Sequence, residues 1–383
     1  MNPAKRTSLP KEREEGKPTD VTVIRSELNV ERWPLFTTSK YPSQSREFVR
    51  QQVERGKVVT KKVVIGKLGD KEVGVFRILD LKVFYALIKL WETAGNPFEK
   101  SVNFAIHEIA KIIGKAWSGR TYQEIKESLL RLRGIPITWI NSFYQKDTDT
   151  VEEYLELFNI LSELKIYTRR QGGAPPIAAS SFKFNDRLVR NLLSHYSKPL
   201  YLDVVMGLKK EISILLYLHL DLVMADKLVY SRMSGDLIRD LGLSGDYRFP
   251  SYRKRVLSPA LEELEGLPLS TGILVQATIE PCEGDWQVIF KKALPSSTKP
   301  EWEIKALVED ILQVTGDEQS RGFYTKVAML CPDDLIYRCL SEVKDEWLQG
   351  RVKKSKGALF TDKIKRYCQE RGIDLKLRAS GNT

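Results

Sequence analysis

Apolar residues are sparse at the start of the chain and then recur with two different periods. Residues 1–32 are dominated by Lys, Arg, Glu and Pro and predict a disordered tail, with Trp33-Pro34-Leu35-Phe36 as the first anchor. Val58, Val59, Val63, Val64 and Ile65, then Val73, Val75, Phe76 and Ile78, flank Gly69-Asp70 and predict a β-hairpin. From Asp80 to Thr93 the period becomes helical: Leu81, Phe84, Tyr85 and Ile88 share one face, and Gly95-Asn96-Pro97 ends it. Two shorter amphipathic helices follow, Phe104 to Ile113 and Arg120 to Arg133, joined by Gly114-Lys115-Ala116-Trp117-Ser118-Gly119. Ile135 to Tyr144 and Tyr154 to Thr168 read as strand-like, 172–176 as a loop between strands, Ser181 to Asn185 as strand and Asp186 to His195 as a short helix.

The order then recurs. A long helix from about Val204 to Met224 leads to a short helix, Met233 to Gly242, the turn Gly242-Leu243-Ser244-Gly245, and a helix from Pro250 to Leu264. Two alternating stretches, Ile273 to Glu280 and Trp286 to Lys291, flank Glu283-Gly284-Asp285. Helix, turn, helix and two strands is the order of a winged helix–turn–helix, here duplicated in architecture rather than in sequence. The expected fold is therefore α+β: a first winged-helix domain over 33–200, a second over 201–292, and a Pro-flanked linker at 293–300. Helical runs at 301–315, 318–330, 333–348 and 357–371 form a small all-α C-terminal region over 301–383.

Composition narrows the function. The 383 residues are 42% hydrophobic, enough for more than one core, and 61 Lys and Arg against 50 Asp and Glu leave a net charge of +11. That excess favours a polyanionic partner. The cysteines at 282, 331, 339 and 368 show no CxxC spacing, which disfavours a zinc finger or dithiol site and points to a reducing compartment. No apolar run opens the chain, so no signal peptide is expected. The most apolar stretch, Ile212 to Met224, holds His219 and Asp221 and is too short for a hydrocarbon core of about 30 Å, so it reads as a buried helix. No membrane contact and a cytoplasmic location are expected.

Catalytic motifs are lacking. Gly114-Lys115 runs into Ala116 and makes no phosphate loop, and neither GxSxG nor HExxH occurs. His107, His195 and His219 form no paired metal ligands of the kind nicking enzymes need. His219 lies within an apolar helix, and Asp333-Asp334 suit the dipole of a helix first turn. No catalytic residue, metal or cofactor is expected, and the protein reads as a binding protein.

The basic helices carry the chemistry. Arg248, Arg253, Lys254 and Arg255 fall within eight residues with no acid among them, interleaved with Tyr247, Phe249, Ser251 and Tyr252. In a helix–turn–helix this segment enters the major groove, where Arg pairs with guanine O6 and N7 while Lys, Ser and Tyr hold phosphates. The first unit offers Lys115, Ser118, Arg120, Thr121, Gln123 and Lys126, with Lys111 and Arg131 nearby and Glu124 and Glu127 diluting the charge. Gln123 suits adenine N6 and N7. Wing tips are expected at 141–146 and at Gly272 or Glu283-Gly284, the last acidic. A further cluster, Arg351, Lys353, Lys354, Lys356, Lys363, Lys365 and Arg366, is equally readable as a phosphate grip or a solvated surface.

Two stretches resemble a known family. Trp117-Ser-Gly-Arg120-Thr-Tyr122, with Glu127, Leu130, Arg131 and Leu132 after it, looks like the first winged helix of bacterial plasmid replication initiators of the TrfA and RepA kind. Arg248-Phe-Pro-Ser-Tyr252-Arg-Lys-Arg255-Val256-Leu257-Ser-Pro259-Ala260-Leu261-Glu262-Glu263-Leu264 is similar to the second-unit helix of iteron-binding initiators. The resemblance implies two winged helices gripping direct repeats at a replication origin. It implies most base contacts from Arg248, Tyr252, Arg253, Lys254 and Arg255. It further implies a homodimer through the first unit that represses the protein's own gene, and cooperation with the host helicase and initiator. A winged-helix transcription regulator at an operator and a protein-interaction scaffold are the alternative readings.

Overall fold

The computed structural model describes residues 22–38, 44–54, 57–151, 156–167, 179–243, 247–293, 299, 301–348, 355–370, 373 and 375. In chain order the strands are β1 (Val23–Glu27), β2 (Phe36–Thr37), β3 (Arg46–Glu54), β4 (Lys57–Ile65), β5 (Lys67–Leu68), β6 (Lys71–Glu72) and β7 (Phe76–Arg77). They continue with β8 (Val102–Phe104), β9 (Ile137–Ile140), β10 (Tyr144–Gln145), β11 (Thr150–Val151), β12 (Glu156–Phe158), β13 (Leu161–Lys165) and β14 (Ser180–Phe184). The last are β15 (Ser197–Tyr201), β16 (Val229–Met233), β17 (Pro268–Leu269), β18 (Gly272–Cys282) and β19 (Asp285–Ala293). The helices are α1 (Leu28–Arg32), α2 (Ile78–Thr93), α3 (Ile106–Ile112), α4 (Gly119–Gly134), α5 (Asp186–Leu193), α6 (Leu202–Gly207) and α7 (Glu211–Val223). After them come α8 (Ser234–Asp240), α9 (Pro250–Leu264), α10 (Glu301–Thr315), α11 (Arg321–Leu330), α12 (Asp333–Leu348) and α13 (Lys356–Glu370).

Buried apolar side chains form two clusters, one from Ile24 to Phe290 and one from Leu307 to Leu375. Around the first, two groups of elements share one topology. α2 leads through β8 into α3 and α4, and β8 pairs with β14, which pairs with β13. α7 leads through β16 into α8 and α9, and β16 pairs with β19, which pairs with β18. In each group the strand before the helix pair lies beside the last strand. The amphipathic spacing explains the helices: Ile125, Leu129 and Leu132 of α4, and Leu257, Leu261 and Leu264 of α9, all turn into the core.

Several strand expectations are corrected. β4 does not form a hairpin with residues 73–78; it pairs along its whole length with β3, whose Arg, Glu and Gln content conceals it. The Gly69-Asp70 turn closes only the short β5–β6 ladder. β9 joins β4 in a separate sheet of order β12-β9-β4-β3. The hairpin belonging to α3 and α4 is β13–β14, and residues 168–178 of its connection, including 172–176, lie outside the described residues. Residues 141–146 are accordingly no wing tip: the Tyr144 carbonyl accepts from Asn29 and Asn191, and β10 pairs with β11.

Two boundaries also move. The tail expected over 1–32 gives way at Val23, where β1 begins, with Ile24 and Val30 buried; residues 1–21 lie outside the described residues. The Glu27 carboxylate caps α1 by accepting from Val30 N–H and also takes the side-chain amides of Asn29 and Asn191. β1 pairs with β15, so the expected domain boundary at 200/201 falls inside a strand. The single helix expected over 204–224 is two. α6 ends at Gly207, and Glu263 of α9 accepts from the Lys209 and Lys210 N–H groups and the Ser213 hydroxyl, which holds the break.

The C-terminal helices α10–α13 match the four expected runs, with a short 3-10 turn, Glu318–Ser320, ahead of α11. Ile311, Tyr324, Val327, Ile336, Val343, Phe360 and Ile364 fill their own core. Polar contacts tie this module to the rest. The Arg25 guanidinium of β1 meets Asp310 at 2.8 Å and the Tyr337 hydroxyl at 2.6 Å, and Lys344 lies 2.6 Å from His195. Hydrogen bonds to charged groups contribute about 1.5–3 kcal/mol. Arg25→Ala is therefore expected to raise hydrogen exchange in β1 and α12 severalfold while α13 keeps its protection. High salt should act on the wild type in the same direction. Unchanged exchange in β1 and α12 would mean that Arg25 does not hold the module.

Candidate nucleic-acid interface

α9 begins at Phe249-Pro250, with Pro at a first-turn position where its missing N–H costs nothing and no acid in that turn. Its N-terminal end thus keeps the positive pole of the helix dipole. Arg248, Ser251, Lys254 and Arg255 are exposed around this end. Tyr252 is half-buried and stacks on Tyr247, ring centres 5.4 Å apart, and the Arg255 guanidinium lies 4.8 Å from the Tyr252 ring. The Lys254 ammonium sits 4.0 Å from the centre of the Trp286 ring. Among the described residues, no carboxylate pairs with Arg248, Lys254 or Arg255. Aromatic seats orient two of these cations without neutralising them.

Arg253 departs from its expected role. It is 9% exposed, and its guanidinium bonds the Ser234 hydroxyl, the Tyr247 and Arg248 carbonyls and, at 2.7 Å, the Asp285 carboxylate. It fastens α9 to the start of α8 and to the β18–β19 hairpin. Burial pushes the Asp285 carboxyl upward, but hydrogen bonds from Arg253, Ser234 and backbone N–H groups outweigh this and hold it below its ordinary range. The hairpin tip, with Glu283 and Gly284 at positive φ, is therefore less acidic than its sequence suggests, since Asp285 is paired inward.

The first unit sorts differently. Ser118 caps α4 by accepting from Thr121 N–H, and Thr121 is 7% exposed with its hydroxyl on the Ala116 carbonyl. Both residues build the turn and have little left to offer a ligand. Lys115 and Arg120 share Glu124, at 2.6 and 2.9 Å. Exposed pairs of this kind are worth about 0–1 kcal/mol, so a phosphate can displace the carboxylate. Gln123 is exposed and Lys126 half-exposed on the same helix. Arg131 turns inward as a two-pronged partner of the fully buried Asp80, which also takes the Ser128 hydroxyl.

Of the C-terminal cluster, Arg351, Lys353 and Lys354 lie outside the described residues. Lys363 pairs with Glu342 and Glu346, and Lys356 lies over Trp347. Sequence reasoning missed Ser234, Asp285 and Trp286, which position α9. The one available signal was the alternation after Gly284 that places Asp285 and Trp286 on successive faces of a strand. Among the described residues no group of three or more His, Cys, Asp or Glu could hold a metal, and no helix is long and apolar enough to cross a membrane.

The fold and this surface define a mixed α/β protein built on a repeated helix pair and strand ladder, with an unneutralised basic helix in its second repeat. The chain belongs to the replication initiator protein A family, whose profile matches residues 25–220, from β1 through most of α7. The matched segment ends before α8 and α9. Among solved structures, the chain is similar to the selenomethionine derivative of domains 2 and 3 of RctB, at 15% identity over 69% of this chain and 95% of that one, with a TM-score of 0.47. A second crystal structure of RctB domains 2–3 gives 14% identity, 66% and 94% coverage, and a TM-score of 0.43. No curated protein matches the chain.

Proposed function

We propose that this initiator binds double-stranded DNA directly, at repeated sites in a replication origin, through two winged-helix units. In this reading α3–α4 with β13–β14 form the first unit and α8–α9 with β18–β19 the second. The observation that carries it is the exposed face of α9, where Arg248, Ser251, Lys254 and Arg255 meet no carboxylate and Arg253 locks the helix in place. Arg248 and Arg255 read bases, Lys254 and Ser251 hold phosphates, and Tyr252 supports Arg255. Gln123 and Lys126 add contacts from α4, with Lys115 and Arg120 once Glu124 releases them. Ser118 and Thr121 shape that turn.

The mechanism is binding without catalysis, and it needs no cofactor. Phosphate contacts on two units favour bent DNA, and bending a site of 20–30 base pairs costs about 1–6 kcal/mol that such contacts offset. The strain is relieved by unpairing beside the repeats. Repression of the protein's own gene, dimerisation through the first unit and recruitment of the host helicase and initiator belong to the same reading, as does a cytoplasmic location. Family membership favours initiation over operator-bound regulation, and the unneutralised face of α9 disfavours a passive scaffold. The test is replication of a circle that lacks any other replicator and carries this gene with its flanking DNA. Maintenance that depends on an intact gene supports initiation; maintenance without it, or none with it, contradicts the proposal.

A further inference from the structure

Between the two repeats lies a cleft of about 340 Å³ for which the origin-binding reading has no use. Its volume is within the range of small-molecule sites, about 300–1,000 Å³. One wall is apolar, with Leu215, Leu218 and Leu222 of α7 facing Leu81 of α2. The lining also carries cations. Arg50 of β3 lies with its guanidinium 4.5 Å from the centre of the Trp33 ring, and Arg32 also lines the cleft.

The charges in this cleft are unbalanced. Arg50 has no hydrogen-bond or ion-pair partner among the described residues. Burial disfavours its charge; Asp240 opposes that effect and the neighbouring Arg32 adds to it. Both carboxylates that line the cleft are already engaged. Asp240 holds Arg232 through two bonds, at 2.9 and 3.3 Å. Glu31 takes the Ser26 and Tyr85 hydroxyls and lies 3.9 Å from Lys198. His219, 3.3 Å from the Tyr230 hydroxyl, is pushed down to about 4 by burial and stays neutral. Two exposed guanidinium groups, Arg50 over the Trp33 ring and Arg32 on the Tyr196 hydroxyl, thus line the cleft with no carboxylate paired to either among the described residues. Cations without a paired carboxylate favour a counter-charge, and the apolar wall favours a hydrophobic body attached to it.

We propose that the inter-repeat cleft binds a small organic carboxylate, its acidic group on Arg50 and Arg32 and its apolar body against Leu215, Leu218 and Leu222. The site has a structural consequence. β3 also carries Arg46, which donates to the Gly242 carbonyl, and Phe48, which packs with Pro34 on Gly242 at the end of α8. Gly242 has φ +72°, and a Cβ there would lie 2.9 Å from Pro34, so this junction is tightly fitted. A ligand on Arg50 bears on the strand that supports the second helix pair, and occupancy joins the two repeats.

The test uses the full chain with two probes, decanoate and 1-naphthoate, beside their neutral counterparts decanol and 1-naphthylmethanol. Titration calorimetry and thermal melting are read for wild type, Arg50→Gln and Leu222→Trp, the last filling the cleft from its half-exposed rim. At least one carboxylate is expected to bind saturably at one per chain and to raise the melting temperature. Its affinity should exceed that of the matched alcohol by about tenfold, fall by about tenfold in Arg50→Gln and be lost in Leu222→Trp. The proposal is overturned if neither carboxylate binds saturably, if the alcohols bind as well, or if both variants melt like wild type and bind undiminished.

Discussion

Replacing Arg248, Lys254 and Arg255 together by alanine is expected to abolish sequence-specific DNA binding while leaving the melting temperature within a few degrees of wild type. None of the three forms an ion pair among the described residues, and all are exposed, so their removal costs the fold little. Each base or phosphate contact contributes about 1–3 kcal/mol, so the triple variant should lose on the order of a thousandfold in affinity or more. Single variants should separate the roles. Lys254→Ala should weaken binding to all sequences alike and reduce the salt slope by about one, whereas Arg248→Ala and Arg255→Ala should relax preference at particular base pairs. Fluorescence anisotropy at several salt concentrations measures both quantities. A folded triple variant that binds within twofold of wild type would remove α9 from the interface.

Arg253→Ala should behave in the opposite way, losing stability first and DNA binding only as a consequence. Its guanidinium is largely buried against Asp285 and Ser234, and removing one partner of such a pair costs about 3–5 kcal/mol, with the lower end fitting a pair this close to the surface. Asp285→Ala should cost a similar amount. The double variant should cost clearly less than the sum, because neither charge is then left buried alone. The pH dependence has a definite sign. Asp285 is held below its ordinary value of 3.8, so the pair's contribution is complete above that pH and is lost as the pH falls further and the carboxylate protonates. Chemical denaturation of the four proteins at neutral and acid pH gives the cycle. If Arg253→Ala melts like wild type but binds DNA as weakly as the α9 triple variant, Arg253 is a contact residue after all.

The contrast between Arg253 and its neighbours shows where sequence reading stops. The amphipathic period of α4 and α9 makes both helix pairs legible, and their turns fall where glycine and the Ser118 cap put them. Which cation of a basic run faces outward depends on partners far along the chain. Arg253 is claimed by Asp285, 32 residues away, and Arg131 by Asp80, 51 residues away. Composition treats all of these cations alike. The sheets were less legible for a related reason. β3 is an edge strand whose apolar residues, Phe48, Val49 and Val53, are outnumbered by charged and polar ones, so it lacks the β-branched run that marks β4. Without β3, the strand-rich segment around residue 60 takes the wrong partner. The arginine-lined cleft was invisible for the same reason, since Trp33, Arg50 and Leu218 meet only when β3 and α7 are placed.

The most direct test of the account is selection of bound duplexes from a random library at physiological salt, followed by footprinting of the enriched sequence. One long site is expected, with protections on major-groove faces spaced by about one helical turn, and tandem copies of that site near the gene. The folded Arg248→Ala/Lys254→Ala/Arg255→Ala protein should lose the protections assigned to the second unit. No enrichment by the wild-type protein, or an enriched site that the triple variant protects equally well, would contradict it.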